Sequence, residues 1–179
     1  MPRRLPLLGT SRVQVPAYAP SSRCDARGFI GIADTTEDED ALAFAVQLAR
    51  ALADAGARVH LSLLAAGHVP ALPPALATSL AEARISSACH AVGPEPPAPA
   101  TFAPLGDGET SHLLVGQPAL TAYAPSLAIL VGADRPVALW PAPLRAQSER
   151  VHVTLGTPRA GLAAALARSL LEHGFLPGG

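Results

Sequence analysis

The residues with the clearest capacity for chemistry are carboxylates gathered behind a short apolar run. Phe29-Ile30-Gly31-Ile32-Ala33 ends at Asp34, and Thr35-Thr36-Glu37-Asp38-Glu39-Asp40 follows. Clustered carboxylate oxygens suit a hard divalent cation such as magnesium. A run of like charge can equally dock a basic partner. The same residues also fit a structural role, because Thr36-x-x-Glu39 has the capping-box spacing and acids in a first helical turn complement the helix dipole. All three roles are open at this level. Asp134 and Arg135 follow a later apolar run, Ser126 to Gly132, and would either meet a ligand or pair locally in a turn. Gln117 and Arg159 sit just beyond two further apolar runs and join them as strand-end candidates.

Other chemistry is poorly represented. The six histidines form no H-x-x-x-H pair, and His60 and His152 fall inside apolar runs, where core or edge packing is expected. Cys24 and Cys89 are the only thiols and make no C-x-x-C pair, so no structural disulfide is expected in a reducing compartment. Cys89-His90 are neighbours in sequence, and neighbours in one element point apart. G-x-S-x-G, H-E-x-x-H and G-x-G-x-x-G do not occur. All 13 basic residues are arginine, which removes Schiff-base chemistry, a lysine base and a phosphate-binding lysine. No catalytic residue, metal or cofactor is assigned on these grounds.

These groups need a scaffold, and the composition supplies one. With 179 residues, 49% of them hydrophobic and only 15% charged, the chain can bury one sizeable core. The formal net charge of -1 carries no basic excess, so neither nucleic acid nor an anionic membrane is an expected partner. The apolar run Leu5 to Leu8 contains Pro6 and is too short for a secretory core, and the long stretch Thr110–Ala133 is broken by Gly116, Pro118 and Pro125. A cytoplasmic location is therefore expected.

Residues 1–27 are rich in proline and arginine without a period and read as an extended arm. The remainder, 28–179, reads as a single α/β domain with a Pro/Gly-rich loop at 93–110. The run 29–33 predicts a strand buried on both faces. Leu42, Val46, Ala49 and Ala53 predict a helix, with Ala45, Leu48 and Leu52 beside them, and 58–64 predicts a second strand. Pro73-Pro74 opens a second helix carrying Leu76, Leu80 and Ala83, fading near Cys89. Further strands are predicted at 112–116, 126–132 and 151–155, with a short helix at 141–148 between the last two. Thr157 is the expected N-cap and Pro158 the first residue of a final helix through Leu162, Leu166 and Leu170. Trp140, beside Pro141, is open to two readings, an exposed contact or a core residue. The alternation predicts a three-layer, mainly parallel five-stranded sheet with helices on both faces, and ligands in such sheets bind beyond the carboxyl ends of the strands.

An h-h-G-h strand, a loop, a long amphipathic helix and a strand after Ala55-Gly56-Ala57-Arg58-Val59 resemble the opening of a P-loop NTPase. The likeness is to the accessory GTPases and ATPases of cofactor and metallocenter assembly, such as the molybdopterin-guanine-dinucleotide biosynthesis accessory protein. His112-Leu113-Leu114-Val115-Gly116-Gln117 resembles a Walker B strand without its acid, and Pro125 to Val131 resembles the family's P-D-L-x-I-L-V phrase. In element order the resemblance spans residues 28–175. The family's G-x-x-x-x-G-K-[ST] loop falls on Asp34 to Ala41. There Asp34 and Glu39 stand for the two glycines, Asp40 for the lysine and Ala41 for the hydroxyl. The resemblance thus implies the scaffold of an NTPase with its phosphate chemistry removed.

Three functions follow as expectations. The first is a non-catalytic pseudo-NTPase that acts through protein partners in cofactor or enzyme maturation, with Asp34 to Asp40 as its docking loop. The second is a small-molecule enzyme whose metal is held by Asp34, the acidic loop and Asp134, which requires the strand ends at 34 and 134 to be neighbours. The third is a structural oligomer subunit.

Overall fold

The computed structural model describes residues 23–36, 39–102 and 110–174. Six strands run in chain order: β1 (Cys24–Asp34), β2 (Arg58–Ala66), β3 (Ser86–Val92), β4 (Thr110–Val115), β5 (Tyr123–Val131) and β6 (Val153–Thr154). All pairings are parallel and the sheet order is β3-β2-β4-β1-β5-β6. The helices are α1 (Glu39–Asp54), α2 (Pro74–Glu82), α3 (Pro118–Thr121), α4 (Ala142–Arg145) and α5 (Leu162–Glu172).

Strand alternation sends Ile30, Ile32, Leu113, Val115, Ile129 and Val131 to one face, where they form the main core with α1 and α5. Helix α1 is buried almost all round, including Phe44, Leu48 and Leu52, because it lies between α2 and α5 as well as on the sheet. The opposite face is clad differently. Ala33, Ala128 and Leu130 meet Leu120 of α3, Trp140 and Leu144 of α4, while Leu64, Leu114 and Tyr123 meet Phe102. Gly31 allows this close cover, since a Cβ there would lie 2.7 Å from Pro125 Cγ and 2.9 Å from Leu120 Cδ2. Among the described residues, no helix is long and apolar enough to cross a membrane.

Several expectations need correction. The sheet has six strands rather than five, because β3 occupies the span read as a fading helix. Its sequence, Ser-Ser-Ala-Cys-His-Ala-Val, is small and polar, as an edge strand half-open to solvent tolerates. Strand β1 begins at Cys24, within the span assigned to the arm, and a bulge between Ala26 and Ile30 hides its periodicity. Residues 1–22 of that arm lie outside the described residues. The final helix starts at Leu162 after Gly161 in the left-handed region, and Thr157 is not its cap. Trp140 is only 6% exposed, and its indole N–H donates to the Arg135 carbonyl at 3.0 Å.

Buried polar groups fix two points of the fold. Gly116 closes β4 with φ +120°, its N–H donating to the Ile32 carbonyl, and a Cβ there would run into the Leu64 carbonyl oxygen. His152 lies under the β5–β6 edge, and its Nδ1 accepts the Ala128 N–H at 2.7 Å. Burial first, and the nearby Arg23 guanidinium second, push this imidazole down to about 4.

Two outcomes are expected. Gly116→Ala combines strained backbone with a backbone clash and costs about 3 kcal/mol or more in urea denaturation. For His152 the unfolded chain binds its proton near pH 6.5 and the folded chain only near 4, so stability is retained above 6.5 and lost as pH falls through that window. Between pH 7 and 5 its share of the loss is about 2 kcal/mol. His152→Asn, which keeps an acceptor facing Ala128, flattens that part of the pH slope; an unchanged slope would assign the effect elsewhere.

Candidate functional site

The chain connections set where a site can form. From the carboxyl end of β1 the chain leaves through α1 on one face, whereas its neighbours β4 and β5 leave toward α3 and α4 on the other. Neighbouring connections that part in this way open a crevice at the strand ends. The crevice is present, with a volume of about 500 Å³, and is lined by Thr35, Thr36, Glu39, Asp40 and Arg135. Five sequence-predicted residues therefore meet around one space, drawn from the loop after β1, the first turn of α1 and the loop after β5.

Asp34, at the end of β1, is buried next to the lining residue Thr35. It is 1% exposed, and its Oδ1 accepts both the backbone N–H of Thr36 at 2.9 Å and the Thr36 hydroxyl at 3.0 Å. The Thr36 side chain is thus turned back onto Asp34 instead of forward onto the helix, which starts at Glu39, and the expected capping box is not the arrangement adopted. Thr35 is held from the β5 side. Its N–H donates to the Val131 carbonyl at 3.2 Å and its hydroxyl to the Gly132 carbonyl at 2.8 Å. Gly132 has φ +70°, and a Cβ there would sit 3.0 Å from both Asp34 Oδ1 and Thr35 Oγ1. Gln117, just beyond β4, reaches across and donates from Nε2 to the Thr36 carbonyl at 3.3 Å. All three central strands therefore hold the same short loop.

The remaining candidates go elsewhere or lie outside the described residues. Asp134 points to the loop after β6, where its Oδ2 accepts the Thr157 N–H at 2.8 Å and hydroxyl at 3.2 Å, and Gly156 leaves room for this carboxylate. Arg159 is exposed in the turn before α5, and its carbonyl accepts the Leu162 N–H. Glu37 and Asp38 lie outside the described residues. Strands β1 and β5 are adjacent, with Asp34 opposite Val131, as a metal shared by Asp34 and Asp134 requires. Each of the two carboxylates is nevertheless engaged by a threonine of a different loop. Among the described residues no group of three or more His, Cys, Asp or Glu side chains is placed to hold a metal ion. Sequence reasoning missed Gly132 and Thr157; the glycine closing the Leu-Val-Gly run was the only available signal for the first.

Chemically, the crevice mouth carries the carboxylates of Glu39 and Asp40 and the guanidinium of Arg135, above two threonine hydroxyls that already have partners. Among the described residues, two of the loop donors that a bound anion would need are taken. The N–H groups of Thr35 and Thr36 serve Val131 and Asp34, so the Asp34 carboxylate already occupies the anion's position in the loop's hydrogen bonding. No protein-family model, curated protein or solved structure matches the chain.

Asp34→Ala leaves Thr36 without its acceptor and is expected to cost about 2 kcal/mol in urea denaturation. Asp34→Asn keeps the Oδ1 acceptor and is expected to lose less than half as much. Equal losses would show that the acceptor is not what matters.

Proposed function

We propose that this chain is a non-catalytic accessory protein on a P-loop-like scaffold, acting through a protein partner at the crevice beyond β1. It resembles the accessory NTPases of cofactor and enzyme maturation in element order while lacking their phosphate-binding residues. The single observation that carries this reading is the closed loop at Asp34. Where a phosphate cradle presents free backbone N–H groups and a lysine, the Thr36 N–H here bonds to the loop's own carboxylate and the Thr35 N–H to β5. Glu39 and Asp40 then add negative charge at the helix start, where a triphosphate would be repelled.

The sheet order supports the scaffold part of the reading. In P-loop enzymes the Walker B residue shares a magnesium ion with the hydroxyl of the loop, so its strand must lie close to the loop strand. Here β4, which carries the Walker B-like run, is hydrogen-bonded to β1, and Gln117 at its end contacts the loop at Thr36. The acid's own position in that run falls on Gly116, so the metal-binding charge is absent, and the Gln117 amide beside it makes only a polar contact. The residues left facing the crevice mouth are charged and partly exposed, as a docking surface needs. They also offer no group poised as a nucleophile.

Calorimetric titration with GTP and ATP, with and without magnesium, tests the proposal. No heat is expected at millimolar nucleotide. Binding in the micromolar range, or hydrolysis by the pure protein, would overturn it.

A further inference from the structure

Face and register place three imidazoles beneath one connection, away from the crevice. On the face opposite α1, β2 carries His60 and Ser62, β3 carries Ser86 and His90, and β4 carries His112. His60 stands opposite Ser86 on one side and His112 on the other. The His60 and His112 rings meet edge-on with centroids 6.0 Å apart, and His112 stacks on Phe29 of β1 at 5.0 Å. His90 lies against Phe102 at 4.7 Å. Phe102 ends the connection that leaves β3, and its ring meets Tyr123 of β5 at 5.6 Å. The connection is held down by few bonds. The Tyr123 hydroxyl donates to the Pro97 carbonyl at 2.9 Å, and the Cys24 thiol lies 3.9 Å from the Pro96 carbonyl.

These imidazoles are poorly served in their protonated form. His60 is 6% exposed; its Nδ1 bonds to Ser86 Oγ at 2.8 Å, but its buried Nε2 makes no hydrogen bond. The buried Nε2 of His90 and the hydroxyl of Ser62 are likewise without partners. A second proton on His60 would place a charge under an apolar cover, where the Phe102 backbone balances it only in part. Burial is the main influence holding His60 below its ordinary range, reinforced by His112 and His90 and only partly offset by the Phe102 backbone. Burial alone acts on His90 in the same direction. Among the described residues, the covering span 96–102 (Pro-Pro-Ala-Pro-Ala-Thr-Phe) brings no charged side chain to balance these groups. The other charged or titratable groups nearby are Tyr123 and Cys24, with exposed Arg58 two residues before His60 and exposed Glu95 at the start of the connection.

We propose that His60 and His90, with His112 packed beside them, form an acid-sensitive latch that holds the 96–102 connection against the sheet when His60 and His90 are neutral and releases it on their protonation. Release would bare Leu64, Val92 and Leu114, which the connection and Phe102 cover. The latch is independent of the crevice and of the function proposed for it.

Cys24 reports on the latch because it lies under the connection, whereas Cys89 packs against the core on the other face. In a Cys89→Ser background, the reaction of Cys24 with 4,4′-dithiodipyridine is followed from pH 7.5 to 5.0 and normalised to free cysteine at each pH. Trp140 fluorescence in the same samples reports the rest of the fold. The normalised rate is expected to rise at least tenfold while Trp140 emission stays unchanged, and the rise is expected to vanish in a His60→Gln/His90→Gln variant. A flat rate, an equal rise in that variant, or a rise that coincides with loss of the Trp140 signal would overturn the proposal. The last comparison needs only the histidine-intact protein, so it decides even where the double variant does not fold.

Discussion

The Asp34 carboxylate sits at the carboxyl end of the central strand and takes two hydrogen bonds from Thr36, two residues further on. Because Asp34 is buried between β4 and β5, those bonds fix where the chain turns out of the sheet and where α1 begins. Helix α1 in turn positions α2 and α5, and with them most of the main core. A buried charge that accepts local donors in this way gives the turn one low-energy geometry. The same bonds occupy the N–H and hydroxyl of Thr36, so the turn's geometry and the hydrogen bonding of that residue have one origin.

The two faces of the sheet are built to different standards. Three helices of nine to sixteen residues cover one, with a continuous aliphatic core. The other carries two four-residue helices, short 3₁₀ turns and a proline-rich connection, and among the described residues its buried atoms without a hydrogen bond include Nε2 of His60, Nε2 of His90 and the Ser62 hydroxyl. Local stability follows buried apolar contact and satisfied hydrogen bonding, so opening of the structure should begin on this second face. Exposed Val137 and Leu139, the latter 66% exposed, also belong to that side. They are presented by a turn whose carbonyls at Arg135 and Ala138 are bonded by the Trp140 indole and the Arg145 guanidinium.

Much of this architecture was legible from pattern. Strands β1, β2, β4 and β5 are buried on both faces and therefore read as unbroken apolar runs, and α1 and α5 carry their periodicity openly. The two edge strands were harder. β3 has one solvated edge and needs no apolar signature, and β6 pairs through only two residues. The crevice residues were legible as a set because strand ends are where a parallel sheet keeps its ligands. The bonds among them were not. Thr35 reaching Gly132, and Gln117 reaching Thr36, depend on which strands become neighbours, and the partners are 97 and 81 residues apart in the chain. Thr157 shows the reverse error: its sequence context fits a helix cap, yet the nearby Asp134 is the stronger acceptor for its N–H and hydroxyl.

The sheet order also carries a cost in time. β1 precedes both its partners in the chain, which come from residues 110–115 and 123–131. Until those segments have been made, β1 presents two unpaired edges, while β2 and β3 can pair through the short helical connection between them. Parallel pairing over such separations is slow, because the long loops must close before any contact repays them. The growing chain therefore holds its central strand in waiting, and this interval is when a chaperone would find most to bind.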